Sequence, residues 1–128
     1  MKPEQFIREQ GLPEAKQILE MAPEDATHYE LNVDGDFYFK QERFDWFCFG
    51  GGELIKTYMD EYETQHLIPL SFLNRLVESL DIIEFHEGIS GAKLVYKLRP
   101  SDAEGVDLWV RLERAIKDHE SIYGGVDD

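Results

Sequence analysis

HLIPLSFLNRLVESLDIIEFHEG, residues 66–88, is the most strongly periodic stretch of the chain. Apolar residues fall at Phe72, Leu73, Leu76, Val77, Leu80 and Ile83, the i, i+3, i+4 spacing of a helix with one buried face. Asn74, Arg75, Glu78, Ser79 and Asp81 fill the other side. Ser71 is placed to cap the N-terminus, and Gly88 to take the left-handed residue that ends the helix. The stretch predicts an anchoring helix. It carries no catalytic signature.

Working outward toward the N-terminus, the pattern changes from helical to alternating. Residues 53–59, ELIKTYM, read as a strand, with Leu54, Lys56 and Tyr58 on one side and Ile55, Thr57 and Met59 on the other. The aromatic run FDWFCF, residues 44–49, precedes it and is broken by Gly50-Gly51-Gly52. Residues 27–41 read as a hairpin turning at Asp34-Gly35-Asp36. Asp60 to Thr64 is a polar connection. Two short helices open the chain, one over residues 3–10 stopped by Gly11, one from Pro13 with Ala15, Ile18, Leu19 and Ala22 as its stripe. The residue before Pro23 avoids helical angles, which ends the second.

On the C-terminal side, residues 89–98 fit either a strand (Leu94, Tyr96, Leu98) or a short helix (Ile89, Ala92, Tyr96), and we expect the helix. Ser101-Asp102-Ala103-Glu104 has the form of a capping box. A last helix then runs to about Tyr123, with a stripe at Leu108, Trp109, Leu112, Ala115, Ile116, His119, Ile122 and Tyr123. Gly124-Gly125 ends it, and the final three residues are expected to fray. The expectation is an α+β fold: a small antiparallel sheet of three or four strands packed with three or more helices. We read 1–128 as a single domain, with an N-terminal helical arm (1–23), a β-rich part (27–59) and a helical part (67–123).

Composition narrows the class. At 128 residues and 42% hydrophobic, the chain has enough apolar surface for a core without staples. Its one cysteine, Cys48, forbids an internal disulfide. Met1-Lys2-Pro3 and the charged segment after it lack the apolar stretch of a secretory signal, and no run approaches a membrane span. A soluble protein of the cytoplasm is expected. The 27 acidic residues against 13 basic ones leave a net charge of −14, which repels a phosphate backbone and argues against direct nucleic-acid binding. The same charge serves solubility, or engages a basic partner.

Motifs that carry chemistry fail in detail. His28, His66, His86 and His119 do not pair at ligand spacing, and Ser90 stands where a zinc-protease motif begun at His86-Glu87 needs its second histidine. A calcium loop beginning at Asp34 needs glycine and glutamate where Phe39 and Asp45 stand. Gly50-Gly51-Gly52 is followed by Glu53-Leu54, not by the Lys-Ser or Lys-Thr of a phosphate loop. Cys48, between Phe47 and Phe49, has no neighbouring base and reads as a small buried hydrophobe. No catalytic residue, metal ligand or cofactor follows. The aromatics Tyr38, Phe39, Phe44, Trp46, Phe47 and Phe49 read mostly as core, with any exposed remainder a protein-binding patch. Asp60, Glu61 and Glu63 before the central helix, and Glu78, Asp81 and Glu84 on its polar side, are with Trp46 the candidate partner surface.

The phrases IPLSFLNRLVES (68–79), IIEFHEGISGAK (82–93) and RLERAIKDHES (111–121) resemble small accessory proteins of lambdoid-type phages and prophages. So do KPEQFIREQGLPEAKQIL (2–19) and APEDATHY (22–29). The likeness covers both ends and skips the aromatic middle. It implies a bacterial host cytoplasm and a non-essential, host-facing role, and it transfers no functional residue.

These readings converge on a non-enzymatic accessory protein that binds a bacterial host protein through acidic surface. Its specific form is an anti-defence inhibitor that occupies a basic nucleic-acid-binding protein by charge mimicry. Two other classes stay open: a small enzyme whose site assembles from distant residues, and a structural or regulatory homodimer.

Overall fold

A computed structural model describes residues 1–32, 35–102 and 105–124. The fold is α+β, as expected. Helices α1 (Pro3–Gln10) and α2 (Leu12–Met21) lead into strands β1 (His28–Asn32), β2 (Gly35–Glu42), β3 (Asp45–Gly50) and β4 (Glu53–Thr57). A single-turn helix α3 (Glu61–Thr64) and a two-residue strand β5 (Ile68–Pro69) precede α4 (Leu70–Phe85), α5 (Ile89–Lys97) and α6 (Asp107–Tyr123). The sheet is antiparallel, in the order β4-β3-β2-β1-β5. The chain divides into two compact units, residues 1–74 and 75–128, and the division falls inside α4. No helix among the described residues is long and apolar enough to cross a membrane.

The first unit is built on the two faces of the sheet. Tyr29 and Tyr38 sit opposite each other in register, with ring centres 5.3 Å apart. Phe6 of α1 meets the Tyr29 ring edge-on at 5.9 Å, and the Tyr38 hydroxyl donates to the Ile18 carbonyl of α2 at 2.8 Å. The N-terminal helices therefore cover this face, and Phe6, Ile7, Ala15, Ile18 and Tyr29 are buried beneath them. The buried Tyr29 hydroxyl donates to Asp36 at 2.7 Å, and burial together with that bond drives its pKa well above the usual value. The two-residue alternation puts His28, Glu30, Phe37, Phe39, Trp46, Cys48, Ile55 and Thr57 on the other face. Gly51 and Gly52 both take positive φ (58° and 79°), the geometry of a tight hairpin turn between β3 and β4.

Local details depart from the sequence expectations in instructive ways. Helix α4 begins at Leu70, so Ser71 lies inside it and is no cap. The Leu70 amide instead donates to the Thr27 carbonyl at 2.9 Å, continuing the β1–β5 pairing. The left-handed residue that ends α4 is Glu87 (φ 64°), one position before Gly88. The Gly88 amide reaches the Ile83 carbonyl at 3.0 Å and the Glu87 amide that of Glu84 at 2.9 Å, a Schellman closure. Residues 89–97 are helical, and Gly91 is required there because a Cβ would stand 1.9 Å from the His86 carbonyl oxygen. Asp60 to Thr64 is no loose connection: Asp60 and Glu63 form a capping box that closes α3. Helix α6 starts at Asp107, after Val106 with no side-chain cap. The turn residue Asp34, Glu104 of the expected capping box and the tail from Gly125 lie outside the described residues.

The second unit closes around Ile83, Ala92, Leu112, Ala115 and Ile116, with Ile82, Ile89, Val95, Tyr96 and Trp109 packed against them. Asp118 is buried in this unit. Its carboxylate accepts from Ser79 Oγ at 2.6 Å and from Arg75 at 3.0 Å, tying α6 to α4. Leu108, expected on the buried stripe, is exposed instead, and Tyr123 is half out.

Asp118→Ala removes the carboxylate that accepts from both Ser79 and Arg75. Arg75 is partly solvated, which softens the penalty, so a loss of about 2 kcal/mol is expected, with Asp118→Asn losing roughly half as much. Urea denaturation measures both, and equal stability of all three proteins would remove this network from the account of the fold.

His28 packs edge-on against Trp46 at 4.7 Å, with Nδ1 2.8 Å from Thr27 Oγ1. Burial lowers its pKa below the usual 6.5. The unfolded chain then takes up the proton at higher pH than the native protein does. Stability from this group is complete above the unfolded value and is lost as pH falls through it. His28→Gln should flatten the fall in stability between about pH 7.5 and pH 5, measured by urea denaturation at each pH.

Candidate functional site

The predicted partner residues fall into two groups, one in each unit. Asp60, Glu61, Glu63 and Trp46 belong to the first, Glu78, Asp81 and Glu84 to the second.

In the first unit the carboxylates gather at α3. Asp60 Oδ1 accepts from the Glu63 amide at 2.8 Å, and Glu63 Oε1 reaches back to the Asp60 amide at 3.5 Å. The pair fixes the single turn, and Glu61 and Glu63 lie at its positive end. All three acids are exposed. Two shallow grooves flank the segment and share Met59. One, of about 420 Å³, is lined by Glu30, Phe37, Phe39, Tyr62, Glu63 and His66 among others. The other, of about 320 Å³, is lined by Phe44, Asp45, Trp46, Lys56, Tyr58 and Asp60 among others. Phe44 is 97% exposed, Tyr58 88% and Tyr62 70%. Of the six aromatics read mostly as core, Phe39 alone is buried. Trp46, Tyr38, Phe47 and Phe49 are half-buried, and Phe44 stands at the tip of the β2–β3 turn beside Arg43, itself at φ 59°. Lys56, the cation of the second groove, is 3.7 Å from Asp45 and lies over the Tyr58 ring.

In the second unit Glu78, Asp81 and Glu84 are exposed on α4, and Glu78 is 3.6 Å from Arg111 of α6. Arg111 also lines an apolar groove of about 470 Å³ formed with Ile82, Phe85, Val95, Leu108, Trp109 and Leu112. A larger and more polar cavity, about 650 Å³, opens beside α5 and α6 among Tyr96, Lys97, Arg99, Trp109 and Glu113. Glu113 and Arg99 are already engaged. The Tyr96 hydroxyl donates to the Glu113 carboxylate, and Lys117 approaches the same carboxylate at 3.2 Å. The hydrogen bond to Glu113 pushes the Tyr96 pKa up, and the same bond, with Lys117, holds Glu113 below the usual carboxylate range. Arg99 stacks on the Tyr96 ring at 3.9 Å. Tyr96, Glu113, Lys117 and Arg99 form one ion and ring cluster.

Cys48 sits half-buried on the sheet face opposite Tyr29 and Tyr38, and burial with the charge of Glu30 pushes its thiol pKa up, away from the reactive thiolate. His66 stacks against Tyr62, His86 against Phe85 and His119 against Tyr123. Among the described residues, no three or more histidine, cysteine or carboxylate side chains are grouped to hold a metal ion.

Sequence reasoning missed three features. Asp118 is one, although an acid between Ala115 and Ile122 on the buried stripe is a readable signal. The exposed Phe85 and Leu108 are another, and no local pattern marks them. The capping box at Asp60 and Glu63 is the third, and its D-x-x-E form was there to be read. No protein family, no curated protein and no solved structure matches the chain.

Proposed function

We propose that this chain is a non-enzymatic binding protein that captures a basic protein partner through the surface around α3. The observation that carries the reading is the interleaving there of exposed rings with carboxylates: Phe44, Tyr58 and Tyr62 among Asp45, Asp60, Glu61 and Glu63. Aromatic side chains supply rigid contact area at protein interfaces, and carboxylates beside them select lysine and arginine. The net charge of −14 speeds encounter with a cationic partner and repels nucleic acid. The likeness to phage and prophage accessory proteins supports a bacterial host protein in the cytoplasm as that partner. A nucleic-acid-binding protein of the host defence, blocked by charge mimicry, is the specific form of this proposal.

Asp60→Asn, Glu61→Gln and Glu63→Gln together remove three charges while keeping side chains that still cap α3. With the full chain as bait in a bacterial lysate, one dominant basic partner is expected, identified by mass spectrometry. The triple variant should weaken its binding at least about tenfold. Binding of the original protein should also fall steeply as salt rises, and that dependence should flatten in the variant. Unchanged affinity in the variant rejects this surface.

A further inference from the structure

The sheet ends on β5 at one side and on β4 at the other, and the two edges differ. Strand β5 has two residues, of which Ile68 is buried and Pro69 has no amide to offer. Strand β4 has five, and Leu54 on one face and Ile55 on the other are both exposed, with Glu53 and Lys56 beside them. The turn at Gly51-Gly52 makes Gly50 and Glu53 the closing pair of a two-residue hairpin, a pair that exchanges both main-chain hydrogen bonds. Pairs alternate from there along the ladder. The amides and carbonyls of Glu53, Ile55 and Thr57 therefore turn to β3, and those of Leu54 and Lys56 turn outward. Among the described residues, no other element hydrogen-bonds the main chain of Leu54 or Lys56.

The devices that close such an edge are missing from β4. It holds no proline, and its register with β3 runs one to one from Gly50–Glu53 to Trp46–Thr57 without a bulge. Lys56 is the charge that would guard it, but its ammonium lies 3.7 Å from Asp45 of β3 and over the Tyr58 ring, drawn back from the edge. Open main-chain groups in a row are answered by another extended chain. Charge selects which one. The groove at the C-terminal end of β4 is lined by Lys56, Thr57 and Tyr58 together with Asp45 and Asp60, so carboxylates outnumber the ammonium there. A second copy could lay its own β4 along this edge, but it would bring another −14 with it.

We infer that the β4 edge takes up an extended, basic segment of the partner protein as an added antiparallel strand, its main chain on Leu54 and Lys56 and its N-terminal lysines or arginines at Asp45 and Asp60. An antiparallel segment carries its N-terminal end to the groove at Thr57 and Tyr58, where those two acids stand. Its alternate side chains fall beside Leu54 on one face and Ile55 on the other, which favours β-branched residues after the basic ones. The inference rests on the reading of the α3 surface for the partner's charge, since Asp60 belongs to both, and adds the form in which that partner is bound.

The test uses the full chain and a synthetic peptide of about nine residues, lysines at its N-terminal end followed by alternating threonine and valine. Hydrogen exchange followed by NMR reads the edge directly. In the free chain the Leu54 and Lys56 amides should exchange fast, and the Ile55 amide, paired with β3, slowly. Saturating peptide should slow Leu54 and Lys56 at least about tenfold and leave Ile55 as it was. A peptide N-methylated at every second residue keeps one pairing edge and should still bind, whereas one N-methylated throughout should bind at least about tenfold more weakly. Glutamate in place of lysine should abolish binding, and the Asp60→Asn, Glu61→Gln, Glu63→Gln protein should bind the original peptide more weakly. Binding without slowed exchange at Leu54 and Lys56, equal binding of the fully methylated peptide, or no binding at all would overturn the inference and leave the α3 reading to its own experiment. Equal binding of the glutamate peptide, or indifference to the triple substitution, would overturn the inference together with the α3 reading. Slow exchange at Leu54 and Lys56 that sets in as the free chain is concentrated would assign the edge to a second copy and overturn it as well.

Discussion

A chain with 27 acidic residues and 13 basic ones must keep its carboxylates in water or supply each with a partner. That constraint runs through the structure. Among the described residues Asp118 is the buried carboxylate, and it is met by Ser79 and Arg75. On the polar side of α4 Glu78, Asp81 and Glu84 stay outside, while Ser79, expected beside them, is buried against Asp118. The short helix α3 exists because Asp60 and Glu63 spend their charge on its free amides. Even Tyr29, at the centre of the first unit, keeps its hydroxyl on Asp36.

The helices were legible because their signal is local and repeated. The spacing of Leu73, Leu76, Val77, Leu80 and Ile83 allows one buried face, and those five residues are buried. The hairpins were legible from turn chemistry, as at Gly51-Gly52. Strand β5 was not, since two residues display no alternation and one of them is Pro69, which suits only a sheet edge. The start of α6 was misplaced because a capping pattern at Ser101 competed with a helix that begins at Asp107 without a side-chain cap. Local grammar names possible helix starts, and packing chooses among them.

The candidate surfaces were legible by half. The acids were readable as solvated residues, because a carboxylate is costly to bury wherever the chain places it. Which large apolar residues would join them was not. Phe44, Phe47 and Phe49 share one aromatic run, yet Phe44 caps a turn in water while the others lie half-covered on the sheet. Leu108 and Leu112 share one helical stripe, yet a single turn separates an exposed side chain from a buried one. Exposure at such positions depends on where neighbouring elements end, and periodicity does not encode that.

The combination of strong charge with exposed rings has its own logic. Apolar groups such as Phe44, Tyr58, Phe85 and Leu108 would promote self-association on a neutral protein. Here every encounter between two copies is opposed by their like charge. The same field draws in a cation. If the chain captures a basic protein, as proposed, charge acts as a filter on which apolar contacts are made: like charge opposes contact between identical molecules, and attraction brings a basic partner close enough for rings and aliphatic side chains to engage. On that reading long-range electrostatics selects the partner, and short-range burial holds it. Such a filter would weaken as salt shortens the reach of the field, so that resistance to self-association and capture of a basic partner would decline together.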